Sequence, residues 1–145
     1  MFRRIISTSS SWGPLPLRLV MAAVFIAHGA GKLFGTFGGP GLRAFTSAQT
    51  PFPFMRPAWL WLGAAAFGEL VGGILILFGF LTRVGAFLIF CIMLTAVVGV
   101  HWKGGFFAPG GIEYPVTLLA VSLSLLITGG GVASVDRSLS SGRRR

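Results

Sequence analysis

AWLWLGAAAFGELVGGILILFGF, from Ala58 to Phe80, is the stretch that decides the fold. A helix needs about 20 mostly apolar residues to cross a bilayer, and this run supplies them. It carries one ionisable residue, Glu69, close to its middle. A charge at the centre of a membrane costs at least ~2.5 kcal/mol, so such a residue faces protein or a water-filled cavity rather than lipid. The stretch therefore predicts a transmembrane helix with one face turned toward partner helices.

Outward from Ala58–Phe80, the turn Leu81-Thr82-Arg83 leads at once into a second apolar run, Val84–Trp102. A connection this short forces an antiparallel helical hairpin. Upstream, Pro14 and Pro16 open a run from Leu17 to Phe34 that contains His28 and Lys32. Downstream, Tyr114–Ile127 forms a shorter run that continues into Gly129-Gly130-Gly131. The expected fold is an all-α membrane protein, a four-transmembrane-helix bundle over residues 17–136. An N-terminal tail of residues 1–16 and a basic tail of residues 137–145 flank it.

Composition agrees. Hydrophobic residues make up 54% of the 145-residue chain and charged residues 10%. Soluble proteins carry about a quarter charged residues, so this chain has too little polar surface to cover a water-facing globule. The lone cysteine, Cys91, lies inside an apolar run, which excludes an intrachain disulfide or a C-x-x-C relay and suits simple packing. The net charge of +9 does not point to nucleic acid, because no basic stripe with interleaved aromatics is present. The cations sit in tails and loops. Arg3, Arg4, Arg18, Arg83, Arg137 and Arg143 to Arg145 fall on one side of the four spans, Lys32, Arg43, Arg56 and Lys103 on the other. The positive-inside rule then places both termini in the cytoplasm, with the closing arginines as an anchor on anionic lipid. The first run lacks a small-residue cleavage site and reads as an uncleaved signal anchor. The loop from Gly35 to Pro57, with Trp59 and Trp61 just after it, is rich enough in aromatics to lie in the membrane interface.

Helical spacing assigns faces. Arg18, Met21, Phe25, His28 and Lys32 recur at steps of three and four, and so share one face. Ala65, Glu69, Gly72 and Gly79 share another, and Gly68 with Gly72 makes a small-xxx-small pair of the kind found where membrane helices approach closely. In the last run Glu113, Thr117, Ala120, Ser124 and Thr128 form a small, polar stripe, expected to face inward. Pro115 suits the first turn of that helix. At about 1.5 Å per residue Glu69 sits near the midplane, His28 and Lys32 lie higher, and His101 and Glu113 lie near the rim. The set forms a polar column opening away from the cytoplasm.

The sequence resembles the DoxX family of small four-helix membrane proteins. The resemblance rests on His28-Gly29-x-x-Lys32, Phe37-Gly38-Gly39-Pro40-Gly41, Glu69-x-x-Gly72-Gly73 and Gly79-x-x-Thr82-Arg83. It continues through Met93, His101, Gly105-Phe106-Phe107, Glu113-Tyr114 and Ser134-x-Asp136, with Gly129-Gly130-Gly131 standing where Gly-Pro-Gly is expected. It implies a protein of the bacterial inner membrane, associated with respiratory or redox-stress systems that include quinone-linked oxidoreductase subunits.

Two readings of the polar column remain open. In one it is a quinone pocket, with His28 and Glu69 handling protons, Lys32 polarising an oxygen and Phe25 packing the ring. In the other Glu69 pairs with Lys32 or His28 only to fix helix register, His101 and Glu113 cap helix ends, and the chain is a non-catalytic accessory subunit of a larger complex. A haem held by His28 and His101 suffers from a depth mismatch of roughly 6 to 9 Å at helical rise. A metal site from His28, Glu69, His101 and Glu113 lacks a tight pair of ligands at helical spacing. No P-loop or dinucleotide motif is present, so any redox cofactor other than a quinone belongs to a partner.

Overall fold

Proline starts the first helix and glycine ends it. In the computed structural model, which describes residues 5–107 and 109–141, α1 spans Pro14–Phe34. Pro14 occupies a first-turn position, where its missing N–H costs nothing. Gly35 closes the helix in the left-handed region at φ 75°, donating its N–H to the Gly31 carbonyl. The short α2, Gly41–Thr46, follows a single 3-10 turn. The deciding stretch becomes α3, Ala58–Phe78, ended by Gly79. Next come α4, Thr82–Thr95, α5, Glu113–Thr128, and α6, Val135–Ser141. Among the described residues there is no strand. Arg3, Arg4 and Arg143 to Arg145, counted above toward orientation and lipid anchoring, lie outside the described residues.

α4 does not stop at Thr95. Its path continues as a π-helical turn over Ala96–His101 and a 3-10 turn over Trp102–Gly104. Thr82–Gly104, α1 and α3 are each long and apolar enough to cross a membrane. α5, at 16 residues, is apolar but shorter, about 24 Å at helical rise against a hydrocarbon core of ~30 Å.

The four longer helices form a ring in which α1 packs on α3, α3 on α4, α4 on α5, and α5 back on α1. Its core is Met21, Phe25, Ile76, Ala86, Ile89, Met93, Leu118 and Leu125. Close approach depends on missing side chains. A Cβ on Gly29 would lie 2.5 Å from the Leu70 backbone nitrogen, and one on Gly72 would press on Ile89 and the Gly85 carbonyl. Helices in lipid gain nothing from hydrophobic exclusion against one another, so this intimate packing is what holds them together.

The helix α5 corrects an expectation. Its buried residues are Pro115, Leu118, Ser122 and Leu125, whereas Thr117 and Ala120 of the small polar stripe are exposed. The reason is local: Thr117 and Thr128 donate their hydroxyls to the carbonyls of Glu113 and Ser124 one turn earlier. A hydroxyl bonded to its own helix needs no interior partner, so the stripe need not turn inward.

At the end of the ring where α1 and α4 begin and α3 and α5 finish, polar groups stitch the helices together. Arg18 is 2% exposed and donates to four carbonyls, those of Ile76, Leu77, Gly130 and Ala133. Arg83 donates to the carbonyls of Leu126, Ile127 and Ser7. Ile76, Leu77, Leu126 and Ile127 lie in the last turns of their helices, where carbonyls run short of partners in their own helix, and Ser7, Gly130 and Ala133 lie in the segments packed beside them. Asp136 does the converse for α4, taking the N–H groups of Leu81 and Thr82 and the Thr82 hydroxyl. A carboxylate at a helix start is favoured by both hydrogen bonding and the helix dipole.

A cavity around the Lys32–Glu69 pair

The other half of the ring is open. A cavity of about 380 Å³ lies between α1, α3, α4 and α5, with the segment around α2 forming one wall. Its boundary is mainly apolar, with Phe25, Leu62, Met93 and Leu118 inside, Phe45 from α2 and Pro51 from the loop after it.

Glu69 is 2% exposed and accepts hydrogen bonds from Lys32 Nζ through both carboxylate oxygens, at 2.6 and 2.7 Å. Spacing places them: Lys32 sits one turn above His28 on α1, and Glu69 lies near the middle of α3, where Gly29 lets the two helices close on each other. The ammonium also stands 5.0 Å from the centroid of the Phe45 ring, within cation–π range. Two of its three N–H groups point to Glu69, and the aromatic face takes up the charge on another side. Burial alone would make this carboxylate very costly; a charge-assisted, two-pronged pair is what makes it tolerable.

The histidines share one arrangement. His28 Nδ1 lies 2.9 Å from the Val24 carbonyl, and His101 Nδ1 lies 3.1 Å from that of Gly110. A carbonyl only accepts, so each Nδ1 carries a hydrogen, and in the uncharged ring Nε2 is then the acceptor. Both residues line the cavity. His101 reaches it through the π-helical turn, a local over-widening that recurs at functional sites. Gly99 in that turn is capped by Pro51 and Phe52, which leave no room for a Cβ.

Of the residues singled out from the sequence, Phe25, His28, Lys32, Glu69 and His101 border this one space. Glu113 does not; its neighbours Tyr114 and Pro115 do. At a helix start, one residue of offset turns a side chain about 100° away. Sequence reasoning missed Phe45 on α2 and the loop residues Gln49 and Pro51, whose contribution depends on how this connection folds back. Among the described residues, no three of His, Cys, Asp or Glu come together as metal ligands would.

The comparisons with known proteins fit this geometry. The family model for DoxX matches residues 13–102, which includes α1, α3, α4 and the cavity residues they carry. Over 141 residues the chain is 27% identical to a protein of Bacillus subtilis (strain 168) named "Putative oxidoreductase CatD", covering 91% of this chain and 90% of that one. No solved structure matches. With the family model covering more than half of its length, and the Lys32–Glu69 pair and its glycine-lined helices within the matched region, the chain belongs to the DoxX family.

Proposed function

We propose that this chain is a four-span protein of the bacterial inner membrane with both termini in the cytoplasm, and that it serves a membrane redox assembly by binding a quinone-type ring in the cavity beside Lys32 and Glu69. The observation that carries this is the cavity itself. At about 380 Å³ it falls within the range of small-molecule sites, and it has the expected make-up of apolar walls with a few convergent polar groups. Phe25 offers a face for the ring, while His28 and His101 offer hydrogen-bond partners for its oxygens. The pair of Lys32 and Glu69 forms a charged floor. The relative's printed name, an oxidoreductase, agrees with redox work. Electrons would be exchanged with a partner subunit, since this sequence has no nucleotide- or flavin-binding motif.

A second reading is favoured by the closed geometry of the ion pair. With both carboxylate oxygens taken by Lys32, the pair also serves as a strut between α1 and α3, and the chain would then be a non-catalytic accessory subunit. Purification in native lipid, followed by mass spectrometry and photolabelling with an azido-quinone, separates the two. A bound quinone, with label on cavity residues such as Phe25 or Phe45, supports the pocket. Copurification with a large complex, with no quinone and label no higher than on lipid-facing Phe87, supports the strut.

A further inference from the structure

We propose that the cavity selects the reduced, hydroxyl-bearing form of its ring, a hydroquinone, over the oxidised quinone. This rests on the ring-binding reading above and adds which redox form the site holds.

Donors and acceptors around the cavity decide which form fits. A quinone carbonyl can only accept hydrogen bonds, so a site built for it must present free donors. Here the strongest donor, the Lys32 ammonium, is committed to both oxygens of Glu69 and stands against Phe45. Each histidine has already spent its Nδ1–H on a backbone carbonyl. The Thr95 hydroxyl hydrogen goes to the Cys91 carbonyl. Among the described cavity side chains the donors left are the third N–H of Lys32, on the side of Phe45, and the Gln49 amide and Tyr114 hydroxyl, both on exposed residues where water competes. Among the described cavity side chains the two ring acceptors, Nε2 of His28 and Nε2 of His101, remain open, and each histidine is fixed by its Nδ1 contact.

Placement adds to the count. His28 is on α1 and His101 ends the extension of α4, and these two helices stand diagonally across the ring rather than side by side. Two acceptors that converge from opposite sides of a cavity suit a ligand with a donor at each end. A para-hydroquinone has this form, with one O–H directed to each imidazole. The quinone of the same shape would set two carbonyl lone pairs against two imidazole lone pairs. An acceptor facing another acceptor forfeits a hydrogen bond that a hydroxyl in its place would make. The π-helical turn is the device that carries His101 to the cavity wall, and Pro51 and Phe52 hold that turn in place by packing on Gly99.

The test is a ratio measured on one preparation. Wild-type protein in lipid nanodiscs, kept anaerobic at about pH 8, is titrated with duroquinol, duroquinone and the dimethyl ether of duroquinol. The ether keeps the reduced ring and removes both hydroxyl hydrogens. The expected result is that duroquinol binds about tenfold more tightly than either of the others, the difference of roughly two ordinary hydrogen bonds. His28→Phe and His101→Phe should each lower that ratio to about threefold, and the double variant to about one. Because the ratio is read within each preparation, partial loss of folded protein does not mimic the effect. If duroquinone binds as tightly as duroquinol, the selection is overturned and ring binding stands. If none of the three binds, both readings fall.

Discussion

Breaking the ion pair from each side in turn should give unequal losses. Lys32→Met strands the Glu69 carboxylate, whose side chain is 3% exposed, while changes at Glu69 strand an ammonium on a side chain that is 24% exposed. Removing one partner of a fully buried pair costs about 3–5 kcal/mol because the other charge is left uncompensated. That range applies to Lys32→Met. For Glu69→Leu the partial exposure of Lys32 and its reach toward the interface reduce the loss to roughly 2–3 kcal/mol. Glu69→Gln keeps a carbonyl oxygen for the ammonium and should lose only about 1–2 kcal/mol. The double variant Lys32→Met with Glu69→Leu replaces both charges by apolar groups of similar bulk and should return to within ~1 kcal/mol of wild type. The cycle then yields a coupling of about 6 kcal/mol. Reversible unfolding in mixed micelles with increasing sodium dodecyl sulfate, followed by tryptophan fluorescence, measures all four proteins. Additive losses, or a double variant worse than either single one, would refute the account of a pair that exists to neutralise a buried carboxylate.

Other perturbations probe the rest of the frame. Arg18→Met should lower stability by about 3 kcal/mol or more in the same assay, since it abandons four carbonyls at once; Arg18→Lys should recover only part of this because an ammonium has three donors and no fork. Gly29→Ala should cost about 1–3 kcal/mol by forcing α1 from α3, and it should weaken the Lys32–Glu69 coupling in the cycle above. A reporter active only in the cytoplasm should give signal when fused at Ser141 and none when inserted at Thr46; the opposite result would place the cavity half of the ring on the cytoplasmic side.

How much of this could be read from the residues depends on distance along the chain. The long helices and the inward face of Glu69 follow from run length and from a period of 3.6, both local properties. His28, Lys32 and Phe25 could be grouped because one helix carries them. Arg18 could not be understood in the same way. On the sequence it is one more cation for an orientation count, and only when the ends of α3 and the loop after α5 converge does it find its four carbonyls. Asp136 is comparable: a cap for α4 supplied by a residue 54 positions after Thr82 leaves no local signature. The polar stripe of α5 misled because Thr and Ser hydroxyls can be satisfied by the turn below. The wall built by Phe45 and Pro51 stayed invisible because a six-residue helix and the irregular loop after it are too short to show a period.

The order of Lys32 and Glu69 along the chain also matters for how the protein is made. α1 leaves the ribosome before α3, so the cation enters the bilayer first. Lys32 lies in the last turn of its helix on a long flexible stem, and can rest its ammonium among the headgroups while it waits. Glu69 has a short side chain and arrives in the middle of its helix, with no comparable route to water. When α3 inserts, its counter-ion is already docked beside it. Had the two residues been exchanged between the helices, a mid-span carboxylate would have had to enter lipid alone. The arrangement lets insertion proceed through intermediates that each have somewhere to put their charge.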